Sequence, residues 1–238
     1  MKTGQNVMYS AEYFDHLAAC NNEIEVLAAL MRLAGIDISE QLLNTLSGPN
    51  GFDLRAVLAR NFSILERENA LGERGAKFLK FLHVIILQYQ RAKLAQRDLI
   101  SDIHTLHQYL KLRMGPLTDE VVIALLLDSS NHLICETIIA TGTSNRVNIL
   151  PRQILKNAIE KSASAIIIVH NHPGGSPQPS NDDIRITKEL INIFRPLDIT
   201  FHDHIIICRD NAISLRERGY ICIDHSVTKL GFQRRGSN

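Results

Sequence analysis

The sequence predicts an α/β fold preceded by a small all-α region, and three observations carry that expectation. Up to about residue 97 the apolar positions recur at helical spacing. After residue 118 the period shortens to that of strands. The strands then alternate with helical segments in the order ββ-α-β-α-β, which points to a mixed sheet covered by helices.

In chain order, Ile24, Leu27, Leu30 and Leu33 lie three residues apart within a helix from Glu23 to Leu33, with Gly35 available to stop it. Asp53 to Leu65 repeats the pattern. Gly75 to Ala95 carries a longer apolar stripe through Phe78, Leu82, Ile85, Ile86 and Tyr89. Breaks such as Ser47 to Gly51 separate these segments, as expected of a small bundle with short connections. Turn-forming residues cluster between 98 and 118 and suggest a boundary there. Val121 to Asp128 then reads as a strand, Ser129 to Asn131 as a turn, and His132 to Ala140 as the hairpin partner. Pro151 suits the first position of a helix reaching about Ser162. The apolar run Ala165 to His170 reads as a buried strand, Asn181 to Phe194 as a helix stopped by Pro196, and Ile199 to Cys208 and Tyr220 to Ile223 as further strands. The expected organisation is a helical domain over 1–98, an α/β domain over 99–225 and a tail over 226–238.

A length of 238 residues leaves room for one large or two modest domains. With 45% hydrophobic and 21% charged residues, the composition is that of an ordinary soluble globular protein. The formal charge of +1 offers no overall electrostatic reason for nucleic-acid or membrane binding. The polar N-terminus lacks a signal-peptide core, and the longest apolar runs are too short to span a bilayer. Cys20, Cys135, Cys208 and Cys222 show no Cys-x-x-Cys spacing and read as thiols in a reducing compartment. A cytoplasmic protein is expected.

The chemistry concentrates after the Ala165 to Val169 run, in His170-Asn171-His172-Pro173 with Ser180 and Asp183 downstream. Residues two apart on a strand face the same side, so His170 and His172 project together. The loop from Pro173 to Pro177 can return Asp183 to the same point. Two imidazoles and a carboxylate make three protein ligands for zinc, and an open fourth position marks a catalytic site rather than a structural one. The same Ser180 and Asp183 also form an acceptable capping box for the next helix. Pro, Ser and Asp at these offsets would coincide with the histidines roughly once in several thousand trials, so the combination is informative where a lone His-x-His is not.

His170-x-His172-Pro173-x6-Ser180-x2-Asp183 resembles the metal motif of the JAMM/MPN metalloproteins, and His170 to Ser180 resembles the RadC-like branch more narrowly. Further similarity lies in Leu127-Asp128, Thr141 to Thr143, Pro151-Arg152, Asp203 to Ile205 and Ser214 to Gly219, over roughly residues 100 to 225; Gly174 departs from a frequent serine. The resemblance implies a JAMM/MPN (cytidine-deaminase-like) mixed sheet flanked by helices, a Zn2+ ion held by His170, His172 and Asp183, and hydrolysis of a peptide or isopeptide bond. It also implies a glutamate on an earlier strand, for which Glu136 is the matching position. Alternation puts Glu136 beside Ile134 and Ile138, where an ionised carboxylate needs compensation. In this scheme zinc lowers the pKa of water to ~7, Glu136 takes the water proton and returns it to the leaving amine, and the Ser180 hydroxyl supports the oxyanion.

Other patterns carry less. His202-Asp203-His204 has no matched acidic residue downstream and reads as core or as support for the ligands. His104 and His107 lack a third donor. The letters His-Asn-His match the name of the HNH nucleases, whose motif is not contiguous, and the Pro-Cys-x-x-Cys of zinc deaminases is absent. In the RadC-like branch the N-terminal region resembles a helix-hairpin-helix, a DNA-phosphate-binding unit. Here Gly72 matches, Ala70 replaces the first hairpin glycine, and Glu73 opposes phosphate, while Arg67, Arg74, Lys77 and Lys80 supply basic charge. A peptide or protein substrate is therefore expected, with DNA as a further partner through the helical half and no membrane. The rival expectation is a DNA-binding or DNA-processing protein whose metal site is nucleolytic or structural.

Overall fold

The computed structural model of the chain describes residues 11–19, 22–36, 39–47, 51–60, 65, 71–142, 150–173, 175–209 and 211–221. The chain divides into two compact units, Met1–Ile86 and Leu87–Asn238. Among the described residues no helix is long and apolar enough to cross a membrane.

The first unit contains α1 (Ala11–Ala19), α2 (Glu23–Leu33), α3 (Glu40–Leu46), α4 (Leu54–Ala59) and the first part of α5 (Gly72–Ala95). Asn22 caps α2 by accepting from the amides of Ile24 and Glu25, and Ser39 caps α3 by accepting from Leu42. Gly35 ends α2 as expected. It takes a positive φ of 67°, and the Ile36 amide reaches back to the Met31 carbonyl. Leu27, Met31, Leu42, Leu46, Val57, Leu65 and Leu79 form the core of this unit. Of the expected Asp53 to Leu65 helix, Leu54–Ala59 is a described helix; residues 61–64 lie outside the described residues, as do 48–50 of the predicted break.

The second unit is built on a five-stranded sheet ordered β2-β1-β3-β4-β5. Its strands are β1 (Glu120–Leu127), β2 (Leu133–Gly142), β3 (Ala165–Asn171), β4 (Thr200–Cys208) and β5 (Asn211–Ser214). β1 runs antiparallel to both β2 and β3, β3 and β4 are parallel, and β4 and β5 are antiparallel. The β1–β2 turn is the predicted one. Asp128 accepts from the amides of Ser130 and His132, and Asn131 adopts a positive φ of 60°.

Apolar layers cover both faces of the sheet, so β1 is buried from Val122 to Leu127 and β3 throughout. On one face Val122, Ala124, Leu126, Ile166 and Ile168 pack with Ile154 and Ala158 of α7 (Pro151–Glu160) and Leu190 and Phe194 of α8 (Asn181–Phe194). On the other, Ile123, Leu125, Ile167 and Val169 pack with Leu94 of α5 and with Leu106, Tyr109, Leu110 and Met114 of α6 (Ile103–Met114).

Helix α6 is a correction to the expectation for residues 98–118. Asp102 caps it through the Thr105 amide, and the turn residues around it are its ends. The division between units falls within α5, ahead of that stretch, because Leu87 and Leu94 continue the helix's apolar stripe into the second unit's core. A second correction concerns the last strand. Tyr220 and Ile221 lie outside any strand, Ile221 being buried in the layer that α7 and α8 pack against the sheet; Cys222 and Ile223 lie outside the described residues. The last rung is supplied by Asn211–Ser214 instead. Cys20, Thr143, Gly174 and the 226–238 tail also lie outside the described residues.

Gly115 closes α6 against the turn after β4. A Cβ there would stand 2.3 Å from the Arg209 carbonyl oxygen and 2.6 Å from that of Lys111, both main-chain atoms. Gly115→Ala is expected to destabilise the second unit by about 1–3 kcal/mol, read as a lower urea midpoint at unchanged m-value. An unaltered midpoint would contradict this packing.

Candidate metal centre

Four chain segments meet at one end of the sheet: the end of β3, the loop after it, the start of α8 and the start of β1. β3 delivers His170 and then His172, whose rings lie 4.7 Å apart, edge to face. The His172 amide donates to the Ile207 carbonyl, which holds the chain beside β4 past the end of β3. His172 Nδ1 donates to the Ser176 carbonyl at 3.0 Å, so Nε2 keeps the free lone pair a metal needs. His170 Nδ1 is buried and has no hydrogen-bond partner, although Asp183 Oδ1 lies 3.2 Å away.

Ser180 and Asp183 do form the capping box of α8. The Ser180 hydroxyl accepts from the Asp183 amide at 3.1 Å, and Asp183 Oδ2 accepts from the Ser180 amide at 2.8 Å and from its hydroxyl at 2.7 Å. The carboxylate is thereby aimed at the histidines, with Oδ1 3.2 Å from His170 Nδ1 and Oδ2 3.5 Å from His172 Nε2. Burial alone would raise the Asp183 pKa. The two imidazoles and the Ser180 hydroxyl outweigh it and hold the carboxyl well below the usual carboxylate range. Asp183 in turn raises the pKa of His172 against the opposing effect of burial.

The glutamate at this site is not the one expected. Glu136 pairs across from Leu125, itself opposite Ile167, on the face covered by α5 and α6. His170 pairs with Val122 on the other face, so the sheet stands between Glu136 and the imidazoles. The compensation required for a carboxylate between Ile134 and Ile138 is present, but it comes from α5 and α6. Tyr109 donates its hydroxyl to Oε1 at 2.5 Å, Arg113 Nε lies 3.0 Å from Oε2 and Arg91 Nε 3.7 Å from Oε1. Burial, and then the neighbouring carboxylate, push the Tyr109 pKa up.

The carboxylate that does reach the histidines is Glu120, at the start of β1, with Oε1 2.5 Å from His170 Nε2. One ligand atom each from Glu120, His170 and His172 falls within 4.8 Å of the others, the one such His/Cys/Asp/Glu group among the described residues. Two imidazoles flanked by two carboxylates suit a divalent metal ion, and the unpartnered Nδ1 of His170 fits that use.

His204 supports this arrangement from β4. Its ring stacks on that of His170 at 6.1 Å, and Thr187, which donates its hydroxyl to the Asp183 carbonyl, accepts from His204 Nδ1 at 2.6 Å. Asp203 faces away and accepts from the Ser214 hydroxyl and from the amides of His204 and Arg216, tying down the chain after β5. His202 lies 2.7 Å from Asn131 Oδ1, and His104 lies beside Gln108; neither belongs to the centre.

Two outcomes are expected. Glu136→Gln should lower stability by about 1–3 kcal/mol, because it leaves Arg113 without its ion-pair partner, and should leave metal affinity unchanged; weakened metal binding would return Glu136 to the site. Burial, reinforced by His170, pushes the His204 pKa down to about 3, whereas in the unfolded chain it protonates near ~6.5. The unfolded state therefore binds the proton first, and stability falls as pH drops through that window by up to about 1.4 kcal/mol per unit. Urea midpoints across this range should flatten in His204→Asn, and equal slopes in the two proteins would count against it.

Comparison with known proteins places this geometry in a family. Residues 100–220 match the model of the RadC-like JAB domain. A UPF0758 protein of Ruegeria pomeroyi is 36% identical over 169 residues, covering 71% of this chain and 75% of that protein. A UPF0758 protein of Cellvibrio japonicus is 31% identical over 210 residues, 84% of this chain and 89% of the relative. Matched through the α/β unit that carries His170, His172 and Asp183, the chain belongs to the RadC-like JAB family of the JAMM/MPN superfamily.

Proposed function

We propose that the chain is a zinc-dependent hydrolase cleaving a peptide or isopeptide bond, with His170, His172 and Asp183 as ligands and Glu120 as general acid–base. The observation that carries this reading is that two carboxylates of different character converge on the histidines. Asp183 touches both imidazoles and is locked by the capping box, as a ligand should be. Glu120 pairs with His170 from a position that retains some exposure, as a proton carrier should. Two histidines and one carboxylate leave a fourth position open, unlike the closed four-ligand sets of structural zinc.

Zinc, when bound, supplies an acidified water with a pKa of ~7 and a polarised substrate carbonyl. Glu120 accepts the water proton on its carboxylate and later gives it to the departing nitrogen. Ser180 first orients Asp183 through its hydroxyl; rotation of that hydroxyl frees a donor for the oxygen of the scissile carbonyl. DNA processing is the competing outcome. Two of the basic residues suggested for phosphate contact have other partners: Arg74 donates to the Ala34 carbonyl at 2.8 Å and Lys77 pairs with Glu73.

The test is zinc analysis of wild type, Glu120→Gln and Asp183→Ala, combined with cleavage assays on peptide libraries and branched DNA. Glu120→Gln should retain zinc and lose roughly 10²–10⁴-fold in turnover, whereas Asp183→Ala should lose the metal. Metal-dependent DNA cleavage abolished in both variants, with no peptide cleaved by wild type, would overturn the proposal.

A further inference from the structure

Asn171 stands between the two histidines in sequence, yet strand alternation turns its side chain away from that of His170. It is only 1% exposed. Its Nδ2 donates to the Asp119 carbonyl at 3.0 Å, and its Oδ1 accepts from the Val121 amide at 2.7 Å. The two partners fix the orientation of the carboxamide, since an amide can only donate and a carbonyl only accept. Asp119 and Val121 are the residues on either side of Glu120.

The placement matters because of where the ladder stops. The rungs between β1 and β3 run from Leu127–Ala165 to Val122–His170 and go no further. Beyond them β3 has no further rung to β1 and stays with β4, through the Asn171–Ile207 pair and the bond from the His172 amide to the Ile207 carbonyl. Glu120 would be held to β2 alone, through its pairing with Gly142. The Asn171 side chain adds the missing rung on the β3 side and grips the main chain both before and after Glu120.

We infer that Asn171 is a positioning residue that sets Glu120 against His170 by bracketing its main chain. The inference rests on the reading of Glu120 as the proton carrier. The role needs one donor and one acceptor on a short side chain. Aspartate keeps the acceptor for Val121 but would face the Asp119 carbonyl with a second acceptor, glutamine is a methylene too long, and leucine of similar size offers neither group. With the bracket gone, the start of β1 parts from β3, and Glu120 Oε1 leaves its place 2.5 Å from His170 Nε2.

The experiment uses the metal-free chain and NMR, so neither substrate nor zinc enters, and failure of the hydrolase reading is separately visible in the cleavage assays above. In wild type the Val121 amide should exchange about tenfold more slowly than an unbonded amide; no protection there overturns the inference, even where no variant folds. In Asn171→Leu that protection is lost, and the 15N resonance of His170 Nε2 moves to its position in Glu120→Gln. Adding Glu120→Gln to Asn171→Leu should shift it no further. Asn171→Asp should move the His170 resonance while Val121 stays protected. An unmoved His170 resonance in folded Asn171→Leu overturns the positioning role. If Glu120→Gln itself leaves that resonance in place, the contact between Glu120 and His170 fails, and the positioning role with it.

Discussion

Antiparallel pairing of β1 with β3 is the constraint on which the rest of the α/β unit depends. The pair sits inside the sheet, with β2 outside β1 and β4 outside β3, and apolar layers cover both faces. Charged groups are therefore tolerated only at its ends. Antiparallel register then brings the start of β1 to the end of β3, so that polar residues at or next to these strand ends meet at one place. Glu120 and His170 are those residues. A shift of register by one residue would send Glu120 to the opposite face and leave the imidazoles without their second carboxylate.

The loop from Pro173 to Ser180 and the start of α8 work under a similar economy. A helix N-terminus needs acceptors for its free amides, and the proposed metal site needs an ionised carboxylate held still. Asp183 meets both needs because Ser180 donates to it twice while accepting from its amide. The capping reading of these two residues and the proposed metal reading are therefore compatible. His204 and Thr187 extend the hold to the Asp183 main chain, which is why a second His-x-His on β4 has a place near the candidate centre.

Glu136 shows how a sound physical requirement can be met by different partners. A carboxylate beside Ile134 and Ile138 does need compensation, and Ile138 remains 56% exposed at the edge of the sheet. Tyr109 and Arg113 supply it from α6, joined by Arg91 from α5. The requirement is a matter of local sequence; the identity of the compensating groups depends on which helix lies over that face of β2.

Much of this protein was legible in its sequence. The periods of α2, α8, β1 and β3 mark those elements to within a residue or so, because helical and strand spacings of apolar residues are imposed locally by burial of one face or both. His170, His172, Ser180 and Asp183 were legible as a group, because a single strand, loop and helix bring them together and their offsets are preserved along the chain. Helix α6 was hidden by the turn residues at its ends, although Leu106, Leu110 and Met114 repeat every four residues. Glu120 was hidden for a deeper reason. It is fifty residues from His170, and nothing local distinguishes it from Glu136 as the partner of the histidines. Strand order, the register of β1 on β3 and the face each side chain takes decide between them, and those are properties of the folded sheet that no run of adjacent residues contains.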